Sequence, residues 1–211
     1  EAMELAHFGA KVIYPPTIQP VMEHDVPVLI KNTFQPEKEG TVIKNEVDLS
    51  DNTVRGISSL DNVALITLSG SNMIGVPGVA ARLFKTLADH QINIMLITQA
   101  SSEHTITVGL DKELLNEAEQ IVEEEFQNEM ALHKIDKPII EDGLSVVSLV
   151  GDGMKMHPGI AGKFFSAMGH HKVNIIAIAQ GSSERNISAV VKTTDKKDAL
   201  QALHDAFFNS K

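Results

Sequence analysis

The chain of 211 residues contains no cysteine. Disulfide scaffolds, thiolate metal sites and cysteine catalysis are therefore excluded, and the composition fits a reducing compartment such as the cytoplasm. Basic residues are also scarce: 18 Lys and Arg stand against 28 Asp and Glu, a formal net charge of −10. Such a surface repels phosphate backbones and anionic lipid, which argues against nucleic-acid and membrane partners. No apolar run approaches the roughly 20 residues that span a bilayer. No Met opens the chain, and Glu1-Ala2-Met3-Glu4-Leu5-Ala6 reads as the middle of a helix with no N-cap before it. The expectation is a piece cut from a longer polypeptide. What is present is ample apolar material, 43% of residues, enough for one large domain or two small ones.

An internal repeat decides between these. A shift of 81 residues carries Gly70 onto Gly151, Met73 onto Met154, Pro77-Gly78 onto Pro158-Gly159 and Phe84 onto Phe165. The same shift carries Asn93-Ile94 onto Asn174-Ile175, Gln99 onto Gln180 and Ser101-Ser102-Glu103 onto Ser182-Ser183-Glu184. Each copy begins with an apolar strand (Val63–Leu68; Leu144–Val150), then a Gly loop, then a helix with Val79, Leu83, Phe84 and Leu87 or Ile160, Phe164, Phe165 and Met168 inward. Two more strands follow (Ile92–Thr98 and Thr105–Leu110; Val173–Ala179 and Asn186–Thr193), then a second helix (Leu114–Gln127; Lys197–Phe208). Copy one continues into a fourth strand near Ala131–Ile135. The order βαββαβ predicts an α+β fold of two ferredoxin-like domains. Copy two ends after its second helix, so Val54–Leu60 is expected to fill its vacant edge. The expected domains are 1–45 as a leading segment, 62–140 as copy one, and 54–61 plus 144–211 as copy two.

Several motifs carry candidate chemistry. Gly159-Ile160-Ala161-Gly162-Lys163 is followed by Phe164 and lacks P-loop spacing, so it does not predict nucleotide binding. Pro77-Gly78 and Pro158-Gly159 place backbone N–H groups at a helix N-terminus, where donors and dipole suit a carboxylate; alternatively these glycines only permit tight helix–sheet packing. Gln99 and Gln180 end otherwise apolar strands. Each offers a donor and an acceptor, which suits a zwitterion or hydroxyl, or else caps a strand end or a dimer contact. The histidines at 90, 170 and 171 sit at helix C-termini with no spaced acidic partner, so no metal site is expected. With no nucleophile–base pair and no complete cofactor loop, no catalytic residue and no cofactor are assigned to the chain.

The strand, Gly loop, Pro-Gly, helix, Asn-Ile strand and Gln-x-Ser-Ser-Glu pattern resembles the ACT domain, an amino-acid-sensing regulatory module. Phe8-Gly9-Ala10-Lys11-Val12-Ile13-Tyr14-Pro15 resembles a segment near the end of the aspartokinase catalytic domain. Gly151-Asp152-Gly153-Met154 and Ile178-Ala179-Gln180-Gly181-Ser182-Ser183-Glu184-Arg185 resemble the second ACT domain of bifunctional aspartokinase–homoserine dehydrogenases. The resemblance implies a tandem-ACT regulatory region preceded by a remnant of the kinase catalytic domain. By it, Lys11 and Val12 match ATP-contacting positions of a parent kinase that uses ATP with Mg, incomplete here. Effector-contacting positions carried over by it are Met73, Gly78, Val79, Ala80, Ile97, Gln99, Ser102 and Glu103, with Gln180 in copy two.

The matching glutamines are associated with threonine sensing in plant members of the family. Lysine-responsive members carry an aspartate where this chain has Met95 and Ile176, and an unpaired buried ammonium is costly. The implied effector is therefore L-threonine, ahead of L-lysine, acting on a homodimer or larger homo-oligomer. The alternatives are the regulatory region of a lysine-sensing monofunctional aspartokinase and a ligand-free oligomerisation module.

Overall fold

A computed structural model describes residues 1–7, 9–10, 13–45, 53–70, 73, 78–99 and 104–209. After helices α1 (Ala2–His7) and α2 (Pro15–Glu23) and a two-stranded ribbon, β1 (Val28–Ile30) with β2 (Thr41–Ile43), the chain enters the repeats. Copy one comprises β3 (Gly56–Ser69), α3 (Val79–Asp89), β4 (Leu96–Gln99), β5 (Thr105–Asp111), α4 (Leu115–Glu125) and a short α5 (Gln127–Ala131). Copy two follows with β6 (Ile139–Val150), α6 (Ile160–His170), β7 (Ala177–Ala179), β8 (Asn186–Lys192) and α7 (Lys196–Phe208). No described helix is long and apolar enough to cross a membrane.

The two long strands belong to both copies. Val63–Ser69 of β3 pairs with β5 and with the start of β6, whereas Gly56–Leu60 pairs with Val146–Val150. Gly56–Leu60 thus lies opposite the first strand of copy two. Both long strands break where they pass between copies. Asn62 has φ 58° and Gly143 has φ 70°, and the β3–β6 register shifts between Leu60 and Leu65. The six strands run β4-β5-β3-β6-β8-β7, and the end strands β4 and β7 come back against each other.

Alternation along each strand then feeds three cores. Ala64, Ile66 and Leu68 pack under α3 and α4, and Val147 and Leu149 pack under α6 and α7. Val63, Leu65, Leu144 and Val146 face inward between the sheets with Leu96, Ala177 and Val190. Burial on both faces is why these strands read as continuous apolar runs.

One expected element is corrected. Residues 131–135 are not a strand, because the helical periodicity continues past α4: Phe126 is fully buried and Met130 packs on the same core one turn later. Ile135 is a buried core residue before the strand, and the ladder opens where Asp136 N donates to Ser69 O at 2.8 Å. The shift of 81 reproduces that bond in copy two, Arg55 N to Val150 O, also 2.8 Å. It reproduces the close approach as well. A Cβ on Gly70 would lie 2.4 Å from Lys134 O, and one on Gly151 would lie 2.4 Å from Thr53 O. The repeat therefore extends through 53–60 and 134–141, and each unit's leading strand sits in the other unit's sheet. The second strands are also shorter than expected, since Ile92 and Val173 are buried before β4 and β7 begin.

The leading segment rests on copy two. Helix α1 covers the outer edge of Gly56–Leu60, where Ser58 Oγ donates to Leu5 O and Gly9, at φ 101°, passes over the Ser59 carbonyl. The Glu1 carboxylate accepts from Asp152 N at 2.8 Å and lies 3.4 Å from Arg55, while Asn186 donates to Glu4. An edge strand is thereby closed against stray pairing.

The two copies also trade volume at one cross-strand position. Leu96 lies opposite Gly109, and the matching pair is Ala177 opposite Val190. A Cβ on Gly109 would come within 2.7 Å of Leu96 Cγ. Gly109→Ala is expected to lower stability by about 1–3 kcal/mol through overpacking. The swapped pair Leu96→Ala/Gly109→Val is expected to recover more than half of the loss seen in Leu96→Ala alone. Urea denaturation of the three variants measures this coupling.

Candidate effector site

The start of each copy's first helix is built on the same plan. Gly78 caps α3 at φ 93° and Gly159 caps α6 at φ 95°, and a Cβ on either would meet nothing. Glycine is there for the left-handed backbone and not for packing room. As glycines, neither N-cap supplies a side-chain cap, and the first-turn N–H groups stand at the positive end of the helix dipole.

Of the expected effector residues, Met73 is 4% exposed and Val79 7%, and both belong to the core under α3 and α4, where Ala80 packs too. Met73 N donates to Gly70 O as Met154 N does to Gly151 O. Ile97 and Gln99 are exposed on the outer strand β4, and Gln180 is exposed just after β7. The structure thus divides the expected set between a buried base and an exposed strand edge. Ser102, Glu103, Lys11 and Val12 lie outside the described residues, as does Pro77.

The structure adds a charged group that the sequence reading passed over. Arg82, one turn into α3, donates to Glu129 and, at 2.7 Å, to Glu125, and its guanidinium stacks 4.6 Å from the Phe126 ring centroid. Glu129 and Glu125 push the Arg82 pKa further above its ordinary value, and Arg82 holds the Glu129 carboxyl below its own. The shift of 81 carries Arg82 to Lys163 and Phe126 to Phe207. Lys163 Nζ lies 4.8 Å over the Phe207 ring and forms no ion pair among the described residues. A cavity of about 380 Å³ opens there, between Thr53-Val54, His157–Ile160, Lys163 and the end of α7. The recurrence of a cation and a Phe at one spacing was the available signal. Among the described residues, no three His, Asp or Glu side chains cluster as metal ligands.

These features define a class. The chain belongs to the ACT-domain family, whose model matches residues 66–126 and 147–207, more than half of the sequence. Over its whole length it is 44% identical to the bifunctional aspartokinase/homoserine dehydrogenase of Haemophilus influenzae, of which it spans 26%. The aspartate kinase of Clostridium acetobutylicum superposes with a TM-score of 0.86 at 28% identity, over 98% of this chain and 47% of that one. Escherichia coli aspartokinase III in its R-state, with aspartate and ADP, superposes with a TM-score of 0.80 at 28% identity, over 98% of this chain and 45% of that one. The tandem ACT pair is thus the one found in aspartokinase regulatory regions. The chain spans about a quarter of the length of the curated relatives it matches.

The Arg82 cluster makes a pH prediction. A carboxyl whose folded pKa is lowered contributes stability above its unfolded pKa and loses it as pH falls through the folded value. Wild-type stability is therefore expected to decline as pH drops below about 4.5, the ordinary Glu pKa. Arg82→Met is expected to cost about 1 kcal/mol at pH 7, given the partial exposure, and to flatten that decline. Thermal unfolding of both proteins across pH 3–7 checks the sign.

Proposed function

We propose that this chain is the allosteric regulatory region of an aspartate kinase, of the type fused to homoserine dehydrogenase, and that it senses L-threonine. In this reading residues 1–45 are the end of the kinase catalytic domain, with Lys11 and Val12 on the side of its ATP–Mg site. Threonine bound at the copy-one loop favours an inhibited arrangement of a homodimer in the cytoplasm. The observation that carries the reading is the duplicated set of uncapped helix starts at Gly78 and Gly159, each accompanied by an exposed glutamine at the end of a neighbouring strand. The N–H groups suit the carboxylate of an amino acid, and the glutamine suits its ammonium or hydroxyl.

Threonine is favoured over lysine on charge. Met95 and Ile176 stand where lysine-responsive members place an acid, and both are packed against the inner core. An apolar side chain at that position itself offers a lysine ammonium no acid to pair with. A coupling of about 1–3 kcal/mol between effector and active arrangement suffices for feedback.

Calorimetric titration with L-threonine and with L-lysine tests the reading. Saturable heat is expected with threonine, weakened about fivefold by Gln99→Ala, which removes roughly one hydrogen bond. Heat with lysine and none with threonine assigns the chain to the lysine-sensing class. No heat with either leaves only an oligomerisation role.

A further inference from the structure

A second groove, of about 400 Å³, lies away from the effector loops, between the inner sheet face of copy one and residues 175–178 of copy two. Its floor carries a row of hydroxyls. Thr67 on β3 lies opposite Thr107 on β5, and Thr107 lies opposite Thr98 on β4. Thr67 and Thr107 share one hydrogen bond at 2.8 Å, which leaves the Thr98 hydroxyl outside that bond. Glu141 stands exposed at the rim, Leu65 and Ile176 supply apolar wall, and no Lys, Arg or His among the described residues lines the groove.

The repeat provides an internal control. In copy two the same row is Ser148, Ser188 and Ala179. Its two serines bond at 2.7 Å and are 0% and 3% exposed. The position of Glu141 is held by Leu60, which packs on the inner core with Ala179. The covering segment differs in the same sense, with Met95 and Leu96 over copy two where Ile176 and Ala177 stand over copy one. One frame is therefore sealed with apolar volume on one side and left open on the other, with three hydroxyls and a carboxylate.

We propose that this groove is a small-molecule site for a ligand bearing an ammonium group on a short apolar body. Glu141 is the single charge among the described residues of its lining, so a cation is attracted and a carboxylate or phosphate repelled. The threonine row supplies donors and acceptors to a polar atom of the ligand, and the isoleucine and leucine side chains cover its carbon skeleton. Alternation along β4 puts Thr98 on the face opposite Ile97 and Gln99. The site is thus distinct from the effector loops and does not rest on the identity of the effector.

Amide chemical shifts of the whole chain, titrated with 3-methylbutylammonium, 3-methylbutanol and 3-methylbutanoate, test the proposal. The ammonium probe is expected to move Leu65, Thr67, Thr98 and Thr107 saturably, the alcohol more weakly, and the carboxylate not at all. Glu141→Leu, the residue found at the matching position of copy two, is expected to weaken the ammonium response about fivefold. An absent response at these four amides, an equal response to the carboxylate, or an unchanged affinity in Glu141→Leu each overturns it. The comparison of the three probes on the wild-type chain needs no variant to fold.

Discussion

Everything in this molecule depends on two strands that each serve two sheets. Because β3 and β6 run through both copies, neither copy owns a complete set of four strands from contiguous sequence. Removing either long strand opens both sheets and the layer between them. The bends at Asn62 and Gly143 divide the six-stranded order into two sheets, one per copy, whose end strands β4 and β7 meet. Beside the first bend, Lys196 and Ser145 hold the Asp61 carboxylate and lower its pKa. The turn is thus tied to the start of α7 and to the neighbouring strand. Each copy is thus covalently continuous with the other through both long strands.

On this shared frame, the informative positions are those where the copies differ. The repeat preserves the hydroxyl pair, the loop glycines and the cation over a phenylalanine. It then varies the partners of each. Arg82 is held by two carboxylates, whereas Lys163 borders a cavity. Copy two alone carries the charges that receive the leading segment: Arg55 meets Glu1, and Arg185 meets Asp152 at 2.9 Å. The matching residues of copy one are Asp136 and His104, which offer no such seat. Among the described residues, the leading segment is therefore received by the charges of copy two.

The strand and helix assignments were legible because both copies repeat their apolar spacing, so each served as a check on the other. Two kinds of feature were not. The fourth strand of copy one was sought at the end of its helix, because a helix that continues over Phe126 and Met130 looks, in sequence, like a short apolar strand. The expected effector residues Met73 and Val79 are buried, and spacing along a loop does not tell which side chains turn inward.

The amino-acid sequence by itself determined the duplication, the ferredoxin-like order, the glycines at the helix starts and the acidic, cysteine-free surface. These follow from local periodicity and composition, which act over a few residues. Only the tertiary structure decided which strand completes which sheet, how the two sheets enclose a third core, and where hydroxyls from three strands meet a carboxylate. Those outcomes depend on register and on contacts between residues far apart in the chain, and a pattern of nearest neighbours carries no record of them.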